Sequence, residues 1–227
     1  GAYSNHLHAM AFTGKQTGFK TIGIIRGEQV QNATLQDCVN WGMELKFMPR
    51  SAYKFKHEIA LLHEIQEANR QCFIIPEGGS NEEGVKGCEE ILSYIKGEYS
   101  HVVCAVGTGT TMAGLIRSAT ADTQFIGVSA LKNALDLDEN ISQYTTKQNW
   151  SIIHDYHFGG FGKAPQSLIA FMKDFKQETG IELDRVYTSK MMFGLLDLIK
   201  SEKLQSPKKI LAIHSGGLQG NRSLLKA

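Results

Sequence analysis

Two glycines and three threonines fill the segment Gly107-Thr-Gly-Thr-Thr111, between the apolar run His101 to Val106 and an amphipathic stretch that opens at Met112. Strand, turn and helix N-terminus are the elements this pattern predicts. Gly107 and Gly109 let the backbone curl where a Cβ would clash. The N–H groups of Thr108 to Thr111 can then converge on an anion, with the positive end of a helix dipole behind them. The hydroxyls of Thr108, Thr110 and Thr111 add neutral donors, so the expected guest is a terminal phosphate. The lysine of GxxxxGK[ST] is missing, which disfavours a nucleoside triphosphate with Mg²⁺. Met112 stands where GxGxxG has its third glycine, which disfavours a dinucleotide. A phosphate-bearing cofactor fits better; the competing reading is a plain glycine-rich turn.

Other polar groups stand at comparable places. Ser4, Asn5 and His6 open a helical pattern, where backbone N–H groups suit a carboxylate; Asn5 as an ordinary N-cap for Leu7 to Lys15 is the alternative. Tyr187 lies in a polar loop, Val186-Tyr-Thr-Ser-Lys190, that enters a helix. Its phenol could move a proton if its pKa were lowered, or it could be a half-buried tyrosine bonded to the backbone. Ser215 follows the last apolar run beside two glycines, and could meet a ring nitrogen or cap a turn. With Glu77 to Ser80, Phe158 to Lys163 and His214 to Gly217, these make six loops that could share one rim of a parallel sheet. Six such loops in one chain favour a pocket over six unrelated turns.

The elements that must position these groups alternate along the chain. Strands are expected at Thr21–Ile25, Glu44–Met48, Phe73–Ile75, His101–Val106, Gln124–Ala130, Trp150–Asp155 and Lys209–His214. Helices are expected at 7–15, 35–45 (with Thr34 as a cap), 57–71, 82–96, after the phosphate loop, to about Lys147, and at 165–179 and 190–202. This β-α-β-α order means parallel sheets with helices on both faces. It reads as two α/β lobes, residues 1–75 and residues 76–227 carrying the loop at Gly107. Ligands of such folds sit at the C-terminal ends of strands, often between lobes.

At 227 residues with a formal net charge of +1, nothing points to nucleic acid, and no apolar stretch is long enough to cross a membrane. The four cysteines are far apart without CxxC spacing, and the eight histidines form no HExxH pair. A reduced, cytoplasmic, metal-free protein is the expectation. Gly1-Ala-Tyr-Ser-Asn-His reads as the middle of a loop, so residues are expected to precede it.

Taken in order, Gly1-Ala-Tyr-Ser-Asn-His, Pro76-Glu-Gly-Gly-Ser-Asn-Glu-Glu-Gly84, Ala105 to Gly114, Gly159-Gly-Phe-Gly162, Val186-Tyr-Thr-Ser-Lys190 and Ile213-His-Ser-Gly-Gly217 resemble the 1-aminocyclopropane-1-carboxylate deaminase / D-cysteine desulfhydrase family. The resemblance implies a tryptophan-synthase-β-like enzyme of fold type II that uses pyridoxal 5′-phosphate. It implies lyase or hydrolase chemistry on a small amino acid, giving ammonia and a 2-oxo acid, in a homodimer. By the same resemblance Gly107 to Thr111 hold the cofactor phosphate, Asn5 its phenolic oxygen and Ser215 its ring nitrogen. Ser4 and the N–H groups of Asn5 and His6 take the substrate carboxylate, Ser4 lies near the proton being moved, and Tyr187 acts on the substrate. Phe161 and Thr188 line the substrate. Two departures matter: Thr188 stands where the deaminases have glutamate, and Phe161 where the glycine loop has tyrosine. Thr188 with Ser215 points toward a desulfhydrase, and the missing hydroxyl at Phe161 points further away from the deaminase. The family's Schiff-base lysine lies upstream of the Ser-Asn-His motif, so a non-catalytic cofactor- or small-molecule-binding module is the alternative.

Overall fold

The computed structural model describes residues 1–69, 72–120, 122–204 and 209–226. They form two compact units, Gly1–Pro76 joined by the segment from Arg222, and Glu77–Asn221.

In the first unit β1 (Ile22–Arg26) and β2 (Glu44–Met48) pair in parallel, Ile22 opposite Glu44 and Arg26 opposite Met48. Helices α1 (Asn5–Thr17) and α2 (Ala33–Asn40) bury Ala11 and Cys38 with Met43, and Leu7, Met10, Trp41 and Leu45 pack around them. The caps differ from expectation. Ser4, not Asn5, caps α1, its hydroxyl accepting Leu7 N–H at 3.2 Å. Asn32, not Thr34, caps α2, accepting Leu35 N–H at 2.9 Å. Asp37 on α2 accepts from His8 Nε2 at 2.9 Å and from the Arg222 guanidinium. Arg222 above all, then His8, holds the Asp37 carboxyl below its usual range against the opposing effect of burial. Helices α3 (Arg50–Tyr53) and α4 (Ile59–Ala68) follow. The expected end of α4 at Gln71 lies outside the described residues. The expected strand Phe73–Ile75 does not form. Its three residues run into Pro76, no described strand pairs with them, and Phe73 and Ile75 stay exposed.

In the second unit β3 (His101–Val106), β4 (Gln124–Ser129), β5 (Trp150–Ile153) and β6 (Ile210–Ala212) form one parallel sheet in the order β5-β4-β3-β6. Side chains alternate across a strand, and β3 shows it. Val102, Cys104 and Val106 join one core with residues of α5 (Glu82–Glu89), α6 (Thr110–Ser118) and α7 (Leu137–Ser142). Val103 joins the opposite core with Met191 and Leu195 of α9 (Thr188–Lys200), and α8 (Gln166–Thr179) packs on α9. Helices therefore cover both faces, as expected. Two helices are shorter than the sequence suggests. The 82–96 helix ends at Glu89 and continues as a 3-10 turn, because Ser93 N–H and Ser93 Oγ both bond the Glu90 carbonyl, at 3.0 and 2.6 Å. The helix expected to reach Lys147 ends at Ser142. Beyond it the Lys147 ammonium donates to Ile116, Arg117 and Ala119 carbonyls at 3.0, 3.2 and 2.7 Å, fixing this segment on the end of α6.

Gly114 is where α6 meets α5 backbone to backbone: a Cβ there would stand 2.6 Å from the Val85 carbonyl oxygen. Gly87, on the same α5, has open space. Gly114→Ala is therefore expected to lower the unfolding free energy by about 1–3 kcal/mol or more. Gly87→Ala is expected to raise it by about 0.5–1 kcal/mol. Urea midpoints of the two variants check the pair; equal shifts would show that α5 and α6 are not in close contact.

Candidate functional site

The phosphate loop of the second unit has the shape its sequence implies. β3 ends at Val106, Gly109 turns with φ 93°, and α6 starts at Thr110. A Cβ on Gly109 would lie 2.8 Å from Ile141 Cγ1, so only glycine makes this turn without displacing the core. No side chain caps α6 and no acidic residue lies in its first turn. Its first N–H groups therefore have no internal acceptor. Thr108 Oγ1 and Thr110 Oγ1 lie 3.0 Å apart at the mouth of the loop. Gly78 packs flat on Thr108, where a Cβ would come within 2.5 Å of Thr108 Cγ2. The Thr111 hydroxyl faces α5 instead, 4.0 Å from Cys88 Sγ. Hydroxyls and helix N–H groups with no acid in the helix's own first turn are the donor set a phosphate dianion needs, so the residues present fit the phosphate of pyridoxal phosphate.

Tyr187 lies over this loop. A Cβ on Gly107 would meet Tyr187 Cε1 at 3.1 Å and its hydroxyl at 3.2 Å. The Phe161 ring meets Tyr187 edge-on, with centroids 6.0 Å apart. The structure thus gathers Gly107, Phe161 and Tyr187. It does not lower the phenol's pKa, the condition attached to its acid–base role. Burial first, then the charges of Asp184 and Glu77, push it up to about 12. The phenol stays protonated near neutrality, a hydrogen-bond donor and not a base.

The turn that carries Tyr187 is built on Asp184. This buried carboxylate accepts backbone N–H groups of Val186 at 2.8 Å, Tyr187 at 3.1 Å and Thr188 at 2.7 Å. Thr188 is fully buried. Its hydroxyl donates to Asp184 Oδ1 at 2.9 Å and accepts Asp184 N–H at 2.7 Å, so it is engaged inside the turn.

Lys190 escaped the sequence reading. It is fully buried, and its ammonium donates to the carbonyls of Gly160 at 2.8 Å and Ala130 at 3.2 Å. Burial pulls its pKa down to about 8, with Asp184 opposing. A signal existed: Lys190 stands four residues before Gly194 and eight before Leu198, on the stripe α9 buries. Asp184 also left a trace, as an acidic residue just ahead of an apolar helix.

Ser215 is exposed, beyond the C-terminal end of β6 and ahead of Gly216 and Gly217, which have φ 86° and 88°. β6 neighbours β3, so the Ser215 segment and the phosphate loop leave the ends of adjacent parallel strands. In the first unit, Ser4 keeps its O–H donor while its oxygen caps α1. Asn5 and His6 form the first turn of that helix. Lys15 and Lys20 are exposed. The described residues contain no group of histidine, cysteine or acidic side chains that could hold a metal, and none of their helices is long and apolar enough to cross a membrane.

Residues 1–216 match the sequence pattern of the family described as pyridoxal-phosphate dependent enzyme. The chain belongs to that family. A protein of Pyrococcus abyssi named as a candidate 1-aminocyclopropane-1-carboxylate deaminase is 28% identical, over 96% of this chain and 72% of its own length. A D-cysteine desulfhydrase of Klebsiella pneumoniae is 28% identical over 94% of this chain and 73% of its own. Among solved structures, an ACC deaminase homologue superposes with a TM-score of 0.78 at 26% identity, covering 99% of this chain and 75% of that one. The α/β architecture with parallel sheets flanked by helices, pyridoxal phosphate as cofactor and deaminase or lyase chemistry follow from this membership.

A lysine with a lower pKa folded than unfolded binds fewer protons folded, so stability rises with pH between the two values. For this pyridoxal-phosphate enzyme the window runs from about 8 to the ordinary 10.5. The stability of the parent relative to Lys190→Met is expected to rise across it by on the order of 1–3 kcal/mol. Chemical unfolding of both proteins along a pH series checks this; a constant difference would show an ammonium that is not desolvated.

Proposed function

We propose that this enzyme acts on a small amino acid, with D-cysteine as the substrate class, by α,β-elimination of sulfide, after which water hydrolyses the resulting 2-imino acid to ammonia and a 2-oxo acid. The observation that carries the reading is that neither side chain next to Tyr187 offers it an acid: a buried, internally bonded threonine follows it in sequence, and the unsubstituted ring of Phe161 meets it edge-on. By the resemblance, the deaminases have a carboxylate and a phenol at these two places. Elimination breaks the C–S bond without attack by water on that bond. Lyase is therefore the class, and hydrolase, which the resemblance also admitted, is set aside.

Pyridoxal phosphate, when bound, supplies the electron sink that weakens bonds at the substrate's α-carbon. This chain's residues do the rest. Gly107 to Thr111 hold the phosphate through backbone N–H groups and the hydroxyls of Thr108 and Thr110. By the resemblance, Asn5 would hydrogen-bond the phenolic oxygen. Ser215 would offer the ring nitrogen a neutral hydroxyl, which keeps the ring less protonated than a carboxylate would, a setting suited to elimination. By the same resemblance, Ser4 and the N–H groups of Asn5 and His6 would orient the substrate carboxylate, with Ser4 near the mobile proton. Tyr187, protonated, donates to the leaving sulfur. Phe161, half exposed, sets a ring without a hydroxyl edge-on beside it. The proposal includes a cytoplasmic homodimer without nucleic-acid or membrane partners.

Sulfide and 2-oxo acid release from D-cysteine, L-cysteine and 1-aminocyclopropane-1-carboxylate, measured on protein loaded with pyridoxal phosphate, tests the substrate. Sulfide from D-cysteine without 2-oxo acid from the cyclopropane substrate is expected; cofactor binding without any product would leave the non-catalytic binder. Gly109→Ala tests the cradle. Its new Cβ would press on Ile141 in a left-handed turn. Loss of one charge-assisted hydrogen bond costs about 1.5–3 kcal/mol, so cofactor affinity is expected to fall at least about tenfold. Unchanged affinity in an absorbance titration would place the phosphate elsewhere.

A further inference from the structure

Phe161 sits in a loop whose backbone is costly to hold. Phe158, Gly159, Gly160 and Gly162 carry φ of 52°, 91°, 115° and 71°. Phe158 is strained there, and the three glycines, free to take many shapes, keep this one only where their surroundings hold it. Two cations provide that. Lys190 Nζ donates to the Gly160 carbonyl at 2.8 Å, and Arg185 Nη2 donates to the Gly162 carbonyl at 3.2 Å. These are the carbonyls on either side of Phe161. Both cations belong to the segment that carries Tyr187, three residues before Lys190 and two after Arg185. The same Lys190 ammonium reaches Ala130, one residue past β4, so the loop is tied to the sheet as well. A methionine would fill the Lys190 site without the desolvation penalty of a buried ammonium. The amine is therefore explained by its donors and not by core packing.

We infer that Lys190 and Arg185 form a two-point clamp that fixes the separation of Phe161 and Tyr187 and so the size of side chain the substrate can bring against them. The inference rests on the proposed reading that these two rings face the substrate. Lys190 and Arg185 are then positioning residues, acting through the loop and touching no reacting atom.

Amide hydrogen exchange on the folded, cofactor-loaded protein reads the clamp without any substrate. Within the loop Gly160 N–H is held by the His157 carbonyl at 3.0 Å and Lys163 N–H by the Gly160 carbonyl at 3.1 Å. In Lys190→Met, peptides covering 158–163 are expected to exchange at least about tenfold faster while α8 peptides stay as in the parent. KM for D-cysteine is expected to rise about tenfold with kcat changed less than about threefold. Lys190→Gln keeps two N–H donors and is expected to fall between the parent and the methionine variant. Arg185→Met, on a partly exposed residue, probes the second point should Lys190→Met not fold. Parent-like exchange of 158–163 in Lys190→Met, or in Arg185→Met where the former does not fold, overturns the clamp. A loosened loop with unchanged KM, or with kcat falling as steeply as KM rises, overturns its role in substrate size. Absence of sulfide release from the parent itself would be a failure of the functional reading, and the exchange measurement would still decide the clamp.

Discussion

Helix α6 stands closer to its neighbours than any side chain would allow, and the second unit is arranged around that approach. Gly114 meets α5, where a Cβ would press on the Val85 carbonyl, and Gly127 on β4 makes room for Met112, whose sulfur a Cβ would meet at 2.5 Å. The first contact fixes α6 against α5 and the second against the sheet, and together they fix where its N-terminus emerges. At its other end the Lys147 ammonium takes three carbonyls that would otherwise lack partners. A cation at the C-terminus suits the helix dipole. The N-terminus has no matching cap, since Gly109 offers no side chain and the first turn has no acid. The helix is thus neutralised at one end and open to an external anion at the other.

α9, in the same unit, is the opposite case. Its entry is closed by the Asp184 carboxylate, which takes three successive N–H groups and the Thr188 hydroxyl. The carboxylate thus occupies the N–H groups that an external anion would otherwise take. What the closed entry provides is rigidity: Tyr187 is the middle of the three N–H groups that Asp184 holds, and its ring is thereby fixed over Gly107. One helix start binds and the other positions. The difference follows from a glycine in one case and an aspartate in the other.

Much of this was legible in the sequence, and the exceptions share a cause. β3 occupies the expected residues because a nearly unbroken apolar run bounded by turn residues leaves little choice, and β2 because Leu45 and Phe47 alternate with Glu44 and Lys46. The loop at Gly107 was legible because its conformational demand is local. The caps were missed by one or two positions because Ser4 and Asn5, and Asn32 and Thr34, are all cap-type residues. At α2 a tertiary bond helps decide, since Asn32 Nδ2 also donates to the Ala2 carbonyl at 3.1 Å. Lys190 was missed for the same kind of reason. Its partners lie thirty and sixty positions away, and no local pattern announces two backbone carbonyls waiting for an ammonium. The absent strand at Phe73–Ile75 marks the limit of propensity: three apolar residues without a pairing partner gain nothing by being extended.

The upward shift of the Tyr187 phenol bears on which substrate is the better match. A group that keeps its proton to about 12 is a weak acid and no base near neutrality, so on the proposed reading another group takes the proton from the substrate and Tyr187 serves the leaving atom. A thiol has an ordinary pKa of about 8.5 and departs readily as thiolate, for which a hydrogen bond from a phenol is help enough. The leaving carbon of a cyclopropane ring is far more basic and needs a proton delivered by a stronger acid. Thr188 offers none, because its hydroxyl is closed into the Asp184 turn. Phe161 adds none, because its ring carries no hydroxyl. The environment that makes Tyr187 a poor ring-opening acid is also the one that suffices for sulfide.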